Sequence, residues 1–293
     1  MKILVTGATG FVGRELVTSL VEAGHEVRAG TRRPDRYQGK GEAVAFDTAD
    51  LDSIESALEG CRAAYYLVHS MSGSAGPGGT DEAGFVGADR RAATAFADAV
   101  ARGGQRVVYL GALGAEGSAS AHLRSRQEVG HILRDRADTV ELRAAIVVGH
   151  GSASFEIMRQ LVERLPIMVC PKWVTTRCQP IALPDVVHYL AAALDLPAGA
   201  YDVGGRDVLT YEDMMRRYAD LTGRKRVILK VPVLTPNLSS HWIGLVTDQP
   251  ASIARPLAEG LCVEVVADDV RIRSLIPFEP MGFDDAVRLA TTA

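Results

Sequence analysis

The sequence feature that most constrains the fold is a glycine-rich turn between an apolar run and a helical pattern at the start of the chain. Lys2–Thr6 predicts a buried strand, and the apolar period of Gly13–Ala23 predicts a helix. The turn itself consists of Gly7, Ala8, Thr9, Gly10, Phe11, Val12 and Gly13. A strand that turns so sharply into a helix is typical of the first unit of an α/β fold with a parallel sheet.

The spacing of the three glycines indicates a ligand as well as a turn. Gly7 lets the chain reverse direction, Gly10 lets backbone amides approach a pyrophosphate, and Gly13 lets the helix pack closely on the sheet. The start of the helix adds unpaired N–H groups and a partial positive charge. We therefore predict that the pyrophosphate of a dinucleotide lies on this turn, with Thr9, Phe11 and Val12 among its contacts. A plain glycine-rich turn is the alternative.

The rest of the first half alternates strand and helix patterns, which predicts a Rossmann-type, doubly wound parallel sheet of the α/β class with a smaller C-terminal substrate domain. We expect the dinucleotide-binding domain to span residues 1–150, with a segment near 178–205 returning to it. Residues 151–177 and 206–293 form the smaller domain in this prediction. Further strands are predicted at Glu26–Gly30, Ala43–Phe46, Ala63–Val68, Arg106–Gly111 and Thr139–Val148, and helices at Leu51–Leu58, Glu82–Gly103, Ala121–Arg136, Pro184–Leu196, Tyr211–Thr222 and from about Asp284.

Composition narrows the partners and the location. The formal net charge of −4 disfavours nucleic acid as a main partner. The four cysteines are scattered and predict neither a disulfide framework nor a metal site. No leader and no apolar run of membrane-spanning length is evident, so we predict a cytoplasmic protein without a membrane span. We expect the protein to bind a small-molecule substrate or none. We also expect it to be a monomer or a homodimer.

Two arginines bear on the choice of dinucleotide. The residue that contacts the adenosine ribose is expected about 20 residues after the glycines, where Arg32 and Arg33 follow the second predicted strand. Because guanidinium groups bind a 2′-phosphate well, this position favours NADP(H) over NAD(H). Asp35 keeps NAD(H) open, and both arginines could simply be solvated. Asp47, after the third strand, is a candidate for contacting adenine or for capping a helix.

Motifs beyond the turn carry a family resemblance over most of the chain. The relevant segments are the Thr-Gly-x-x-Gly-x-x-Gly turn, Tyr65–Met71, Gln179–Ile181 with Asp185–Val187, and Tyr201–Gly205 followed by Leu209–Asp213. Together they resemble the extended and atypical short-chain dehydrogenase/reductases, above all the NmrA-like NAD(P)H-binding group, which includes YbjT-type bacterial proteins and the 39 kDa subunit of respiratory complex I. The resemblance implies cofactor contacts from Leu67, Val68, His69, Gly111, Arg143 and Ile146.

The chain differs from this family at the catalytic residues. Typical members have a Ser or Thr after the fifth strand and a Tyr-x-x-x-Lys on the next helix, whose Tyr moves the substrate proton. Here the fifth strand ends without a hydroxyl, and His122 and Arg126 stand in the Tyr and Lys positions. His122 is a candidate general acid, and Arg126 a candidate cofactor contact. His69 is a second catalytic candidate. A structural role for each histidine is the alternative.

These residues support two hypotheses for the function. The first is an NADPH-dependent reductase of a small organic carbonyl or enone, with Trp173, Arg177 and Gln179 lining the substrate side. A packed Trp beside a surface Arg is the alternative for that last group. The second hypothesis is a non-catalytic NADP(H) sensor or scaffold, which the missing Ser and Tyr-x-x-x-Lys favour. Sugar-nucleotide epimerisation is disfavoured because it relies on the same absent Tyr.

Overall fold

A sheet of seven parallel strands organises the first half of the chain. A computed structural model describes residues 1–68, 82–114, 120–231, 246–248 and 259–292, with the side chains of 82–85 excepted. The strands follow the order β11-β6-β5-β4-β1-β2-β3. Their bounds are β1 Lys2–Thr6, β2 Glu26–Thr31, β3 Glu42–Ala45, β4 Ala63–Tyr66, β5 Arg106–Ala112, β6 Thr139–Ala144 and β11 Gly199–Val203. The predicted Rossmann-type, doubly wound sheet is therefore confirmed.

Helices cover both faces of this sheet. Leu16, Val17 and Leu20 of α1 share a core with α6 on one face, whereas Phe96 and Leu133 belong to a second core with α2, α3 and α4 on the other. The helices are α1 Phe11–Glu22, α2 Leu51–Leu58, α3 Glu82–Gly103, α4 Ala121–Arg136, α5 Ala153–Arg164, α6 Leu183–Ala192, α7 Tyr211–Leu221, α8 Val270–Leu275 and α9 Phe283–Thr292. The order of strands reverses between β1 and β4, which is where doubly wound sheets bind ligands.

The second half of the chain contributes three two-stranded sheets. They pair β7 with β10, β9 with β12 and β8 with β13. Their bounds are β7 Val147–Val148, β8 Ile167–Pro171, β9 Arg177–Cys178, β10 Ile181–Ala182, β12 Leu209–Thr210 and β13 Val227–Val231. A third apolar core, which includes Phe155, Met168 and Tyr218, lies among these elements. The predicted division into domains stays a prediction, although β11 does join the main sheet as the returning segment requires.

One predicted strand is wrong in a way that matters for the site. Thr139–Val148 was expected to be continuous, but the structure divides it into β6, which ends at Ala144 in the main sheet, and β7, which pairs with β10. The break falls at Ala145–Ile146, where the carbonyl of Ile146 accepts a hydrogen bond from the N–H of Ile181 at 2.9 Å. A continuous strand pattern in the sequence cannot show that its two ends pair with different strands. Thr210 caps the start of α7.

A buried carboxylate lies inside the main sheet. Glu141 on β6 is 2% exposed and forms an ion pair with Arg134 of α4. Gly111 on β5 and Gly130 on α4 leave room for it, because a Cβ at either position would overlap the Glu141 carboxylate. The pair therefore attaches α4 to β6, and it explains both glycines by packing.

This arrangement leads to a test of stability. Glu141→Ala leaves a cavity and removes the partner of Arg134, so we expect the free energy of unfolding to fall by about 3 kcal/mol. Glu128→Ala is the matched control because Glu128 pairs with Arg90 of α3 at the surface, and it should cost less than about 1 kcal/mol. Urea denaturation measures both values. Equal losses in the two variants would show that the buried pair does not hold α4 in place.

Candidate functional site

The glycine turn is closed by backbone contacts that exclude side chains. Gly7 has φ +67°, and a Cβ there would lie 2.9 Å from the carbonyl oxygen of Leu67. A Cβ at Gly13 would overlap the carbonyl oxygen of Gly7, and the N–H of Gly10 donates to that same oxygen at 2.9 Å. Gly7 and Gly13 are therefore required by the geometry of the turn, as the sequence predicts.

A buried threonine links this turn to the neighbouring strand. The hydroxyl of Thr6 donates to the carbonyl of Tyr65 at 2.9 Å and accepts from the N–H of Leu67 at 3.1 Å. Leu67 and Val68, which directly follow β4, are half-buried. Thr6 thus holds the end of β4 against the turn at the point where the strand order reverses. The predicted cofactor contacts of Leu67 and Val68 stay predictions.

The start of α1 is suited to an anion. Gly10 is the N-cap residue and has no side chain to satisfy the N–H groups of the first helical turn. Thr9 and Gly10 are exposed, so these groups open towards solvent. A helix N-terminus with this arrangement attracts phosphate through its N–H groups and its dipole. Phe11 and Val12 belong to this first turn, because α1 begins two residues before the predicted start at Gly13.

Positive charge surrounds the segment that follows β2. Arg32, Arg33 and Arg36 are exposed. Within the described part of the chain, the Arg33 and Arg36 side chains form no ion pair, and the N–H of Arg33 donates to the hydroxyl of Thr31 at 3.3 Å. Burial raises the pKa of the Tyr37 hydroxyl, and the nearby Arg14 guanidinium partly offsets this rise.

Arg14 is a residue that the sequence analysis missed. It lies one turn into α1, is exposed, and reaches the carbonyl of Thr9 at 3.4 Å. Its effect on Tyr37 shows that its charge faces the segment that carries Arg33 and Arg36. The signal that could have identified it is a basic residue directly after the third glycine of the turn.

Asp47 lies at the end of β3 and is exposed. One of its carboxylate oxygens accepts from the N–H of Ala49 at 3.0 Å, whereas Asp50 caps α2. Asp47 is therefore a turn residue and not the helix cap. Its predicted contact with adenine stays a prediction.

A loop after β7 contacts the start of α1 and adds a histidine that the sequence analysis did not consider. A Cβ at Gly149 would lie 2.9 Å from the ring of Phe11, and Gly151 has φ +87° beside the same ring. His150 stands between these glycines and is exposed. The helix start and the residues around His150 are consequently brought together at one end of the sheet, which makes His150 a candidate proton donor in addition to His122 and His69.

The residues in the Tyr and Lys positions of the family are placed differently from each other. His122 is the second residue of α4 and is half-buried. Arg126 is 9% exposed, donates a hydrogen bond to the carbonyl of Leu110, and lies over the ring of Tyr109 with 5.1 Å between the guanidinium carbon and the ring centroid. Arg126 is thus anchored to the end of β5, and its predicted contact with a cofactor stays a prediction.

No described tyrosine near this helix replaces the missing catalytic one. Burial raises the pKa of Tyr109 to about 12, although Arg126 lowers it, and burial raises the pKa of Tyr66 still further. The Tyr109 hydroxyl donates to the carbonyl of Arg126 at 3.0 Å. A catalytic Tyr of this family needs a lowered pKa to exchange its proton. Both rings are therefore core residues.

Other predicted cofactor contacts have structural partners. Gly111 lies inside β5 against the Glu141 carboxylate. Arg143 binds Asp202 on the edge strand β11 at 2.7 Å. Ile146 connects to the 178–181 segment through its backbone. The predicted cofactor contacts of Arg143 and Ile146 stay predictions.

The predicted substrate residues are not brought together as one polar group. Arg177 forms a bidentate ion pair with Glu264 at the surface. The buried Gln179 side chain donates to the carbonyl of Gly205 at 2.8 Å and accepts from the N–H of Ala267 at 3.0 Å, so it joins two backbone segments. Trp173 is half-buried, and its indole N–H has no hydrogen-bond partner among the residues described. This indole N–H is itself buried, and the predicted substrate-side role of Trp173 stays a prediction.

His69 lies outside the described residues, so its predicted roles have no structural test. Across the described ranges no helix has the length and apolarity needed to cross a membrane. The same ranges contain no group of three His, Cys, Asp or Glu side chains suited to a metal ion.

Part of the chain is similar to a known protein family. Residues 7–145 match the model of the NAD(P)H-binding family. These are the residues from the first glycine of the turn to the end of the sixth strand. This part of the chain, a little under half of it, is similar to NAD(P)H-binding domains. The match confirms the predicted resemblance to NAD(P)H-binding proteins.

Individual relatives of the dehydrogenase/reductase domain are distant or short. The chain is 43% identical over 61 residues to the uncharacterized protein Rv2047c of Mycobacterium tuberculosis (strain ATCC 25618 / H37Rv), a match that covers 20% of the chain and 7% of that protein's length. It is 26% identical over 259 residues to a ceramide reductase of Caulobacter vibrioides (strain NA1000 / CB15N), covering 85% of the chain and 80% of the relative.

Solved structures share the fold at low identity. A UDP-glucuronic acid 4-epimerase from Bacillus cereus, solved with UDP-glucuronic acid and NAD, superposes with a TM-score of 0.73 at 15% identity, covering 100% of this chain and 98% of the epimerase. At this identity the likeness concerns the fold alone. It agrees with the observed strand order of the dehydrogenase/reductase domain.

The closed turn provides the second test. In Gly13→Ala the new methyl group overlaps the Gly7 carbonyl, so we expect the free energy of unfolding to fall by about 1–3 kcal/mol and the binding of NADPH to weaken at least about ten-fold. Gly260→Ala is the control because a Cβ at Gly260 meets no other atom within 4 Å. Thermal unfolding and titration calorimetry measure the two effects. A Gly13→Ala protein that is as stable and binds as tightly as Gly260→Ala would contradict the turn geometry.

Proposed function

We propose that the protein is an NADPH-dependent reductase of an organic carbonyl or enone. Hydride chemistry belongs to the cofactor, so the protein has to bind NADPH, orient a substrate and supply a proton. The observation that carries the proposal is the pairing of two anion-binding features, the uncapped start of α1 and the arginines that follow β2. They suit the pyrophosphate and the 2′-phosphate of one dinucleotide.

The preference for NADPH rests on charge. Arg14, Arg33 and Arg36 are exposed guanidinium groups on facing segments, and none of them is neutralised by a carboxylate in the described ranges. Cations without a carboxylate partner attract a phosphate, and a guanidinium binds it through two N–H groups. Asp35 is the only acidic side chain within the segment from Arg32 to Arg36 and is exposed. The balance of charge favours the phosphorylated ribose over the free hydroxyl of NADH.

The choice of reaction draws on a relative. The protein named ceramide reductase in Caulobacter vibrioides aligns over 85% of this chain. A reductive reaction on a largely apolar molecule is therefore the direction that we favour. His122 and His150 are the candidate proton donors, since imidazole exchanges protons near neutral pH.

A non-catalytic NADP(H) sensor is the second candidate function. The missing Ser and Tyr-x-x-x-Lys favour it, as do the raised pKa values of Tyr66 and Tyr109. Arg126 adds to this, because its guanidinium is already bound to the Leu110 carbonyl. Both functions share cofactor binding and differ in turnover.

Cofactor preference can be tested by a single substitution. Arg33→Gln removes a charged donor to the 2′-phosphate, so we expect the Kd for NADPH to rise at least about ten-fold. The Kd for NADH should change less than about two-fold, because NADH lacks that phosphate. Arg14→Gln should behave in the same way. Titration calorimetry with both dinucleotides measures the four values.

Arg62→Gln is the control for this experiment, because Arg62 is an exposed arginine that precedes β4 at the opposite end of the sheet. It should leave both affinities unchanged. A wild-type protein that binds NADH more tightly than NADPH would show that the arginines are only solvated charges.

Turnover distinguishes the reductase from the sensor. We expect NADPH oxidation with at least one member of a panel that runs from short aldehydes, ketones and enones to long-chain ketones. His122→Ala or His150→Ala should then lower kcat by about 10²-fold with the affinity for NADPH unchanged, because a general acid contributes about that much. The reaction is followed by the decrease in absorbance of the reduced nicotinamide as NADPH is oxidised. No oxidation above background across the panel would favour the sensor.

A further inference from the structure

A small parallel ribbon in the second half of the chain carries apolar side chains on its outer face. Strands β8 and β13 pair in register, with Val227 opposite Ile167 and Leu229 opposite Val169. These four residues, called here the apolar quartet, are 54%, 42%, 52% and 49% exposed in the order Ile167, Val169, Val227 and Leu229. The alternate residues Met168 and Ile228 are buried in the core beneath.

This face is unusual for a parallel sheet. Parallel sheets are normally covered on both faces, whereas sheets with one wet face carry polar side chains on it. The structure describes ten exposed large apolar side chains, and four of them form this quartet. Others, such as Val270 and Leu289, lie on separate helices, and isolated exposed residues need no explanation. A contiguous apolar surface indicates a binding face.

Positive charge at both ends of the ribbon identifies the kind of partner. Arg224, Lys225 and Arg226 precede β13, while Lys172 follows β8 and Lys230 lies near the other end of β13. Residues 166–172 and 224–231 contain these five cations and no acidic residue, in a chain whose net charge is −4. Glu212 on α7 neutralises Lys230 through a contact of 3.1 Å, and the half-buried Arg226 donates to the carbonyls of Val162 and Glu163. The half-buried Arg224 lies near Glu163, so Lys172 and Lys225 are the exposed cations on which the argument rests. Cations around an apolar face are complementary to a partner that has an anionic surface above an apolar layer.

We propose that the β8–β13 ribbon binds the surface of an anionic lipid membrane, with the apolar quartet in the boundary between headgroups and acyl chains. The lysine and arginine stems lie along the apolar surface while their charged ends contact lipid phosphates. A second copy of the chain fits less well, since a face-to-face contact would bring two sets of cations together. Nucleic acid would leave the quartet in water. This inference is independent of the cofactor and of turnover.

Vesicle flotation tests the inference. We expect the full-length protein to float with vesicles of phosphatidylcholine and phosphatidylglycerol and not with phosphatidylcholine alone. Lys172→Gln with Lys225→Gln should weaken binding by about five-fold for each charge removed, and added salt should weaken the wild type in the same direction. Val227→Asn with Leu229→Asn should abolish flotation, because an outward-facing polar pair cannot enter the lipid boundary.

Matched controls carry the same changes elsewhere. Val270→Asn with Leu289→Asn alters exposed apolar residues on α8 and α9, and Lys40→Gln with Arg62→Gln removes two surface cations from the dinucleotide-binding half. Both controls should float like the wild type, and thermal unfolding should show that every variant is folded. Wild-type protein that binds neutral and anionic vesicles equally, or neither, would overturn the proposal.

Chemical labelling separates lipid binding from other ways of covering the quartet. In a Cys262→Ser background, Leu229→Cys should react rapidly with a water-soluble maleimide in the free protein and slowly in the presence of anionic vesicles. Slow labelling without vesicles would mean that the chain itself or a second copy already covers this face, and it would refute the proposal. Sedimentation velocity of the same protein then distinguishes a monomer, in which the chain itself covers the quartet, from a dimer, in which a second copy does.

Discussion

The close approach of Gly13 to the carbonyl of Gly7 is the contact on which the site depends. Because no Cβ fits at Gly13, α1 starts directly against the end of β1. The first-turn N–H groups consequently point away from the sheet at the place where the strand order reverses. Thr6 reinforces this arrangement by holding Leu67 beside the turn. An anion-binding helix start and the adjacent loop thus follow from a few backbone contacts.

Beyond this turn, charged side chains near the end of β5 have structural partners. The Arg126 guanidinium is bound to the Leu110 carbonyl and lies over Tyr109. The Glu141 carboxylate packs against Gly111 of β5 and forms an ion pair with Arg134. These interactions stabilise the attachment of α4 to the sheet without offering a proton to a substrate. Dinucleotide binding and proton transfer therefore depend on different residues and have to be tested separately.

The sequence allowed the fold and the glycine turn to be predicted because both depend on local order: Gly7, Gly10 and Gly13 lie within one turn. Partners from distant segments could not be predicted in this way. Arg143 meets Asp202 only because β11 pairs with β6, and Gln179 joins Gly205 to Ala267 across separate loops. Arg14 was missed for a related reason, since its charge matters only once α1 faces the segment that carries Arg33.

The central claim is that one dinucleotide spans the start of α1 and the arginines after β2. A crystal structure of the protein with NADP⁺ tests it most directly. We expect the pyrophosphate within hydrogen-bond distance of the N–H groups of Phe11 and Val12, and the 2′-phosphate against the guanidinium groups of Arg14 and Arg33. A dinucleotide bound away from the glycine turn, or one whose 2′-phosphate contacts no arginine and faces solvent, would contradict the account.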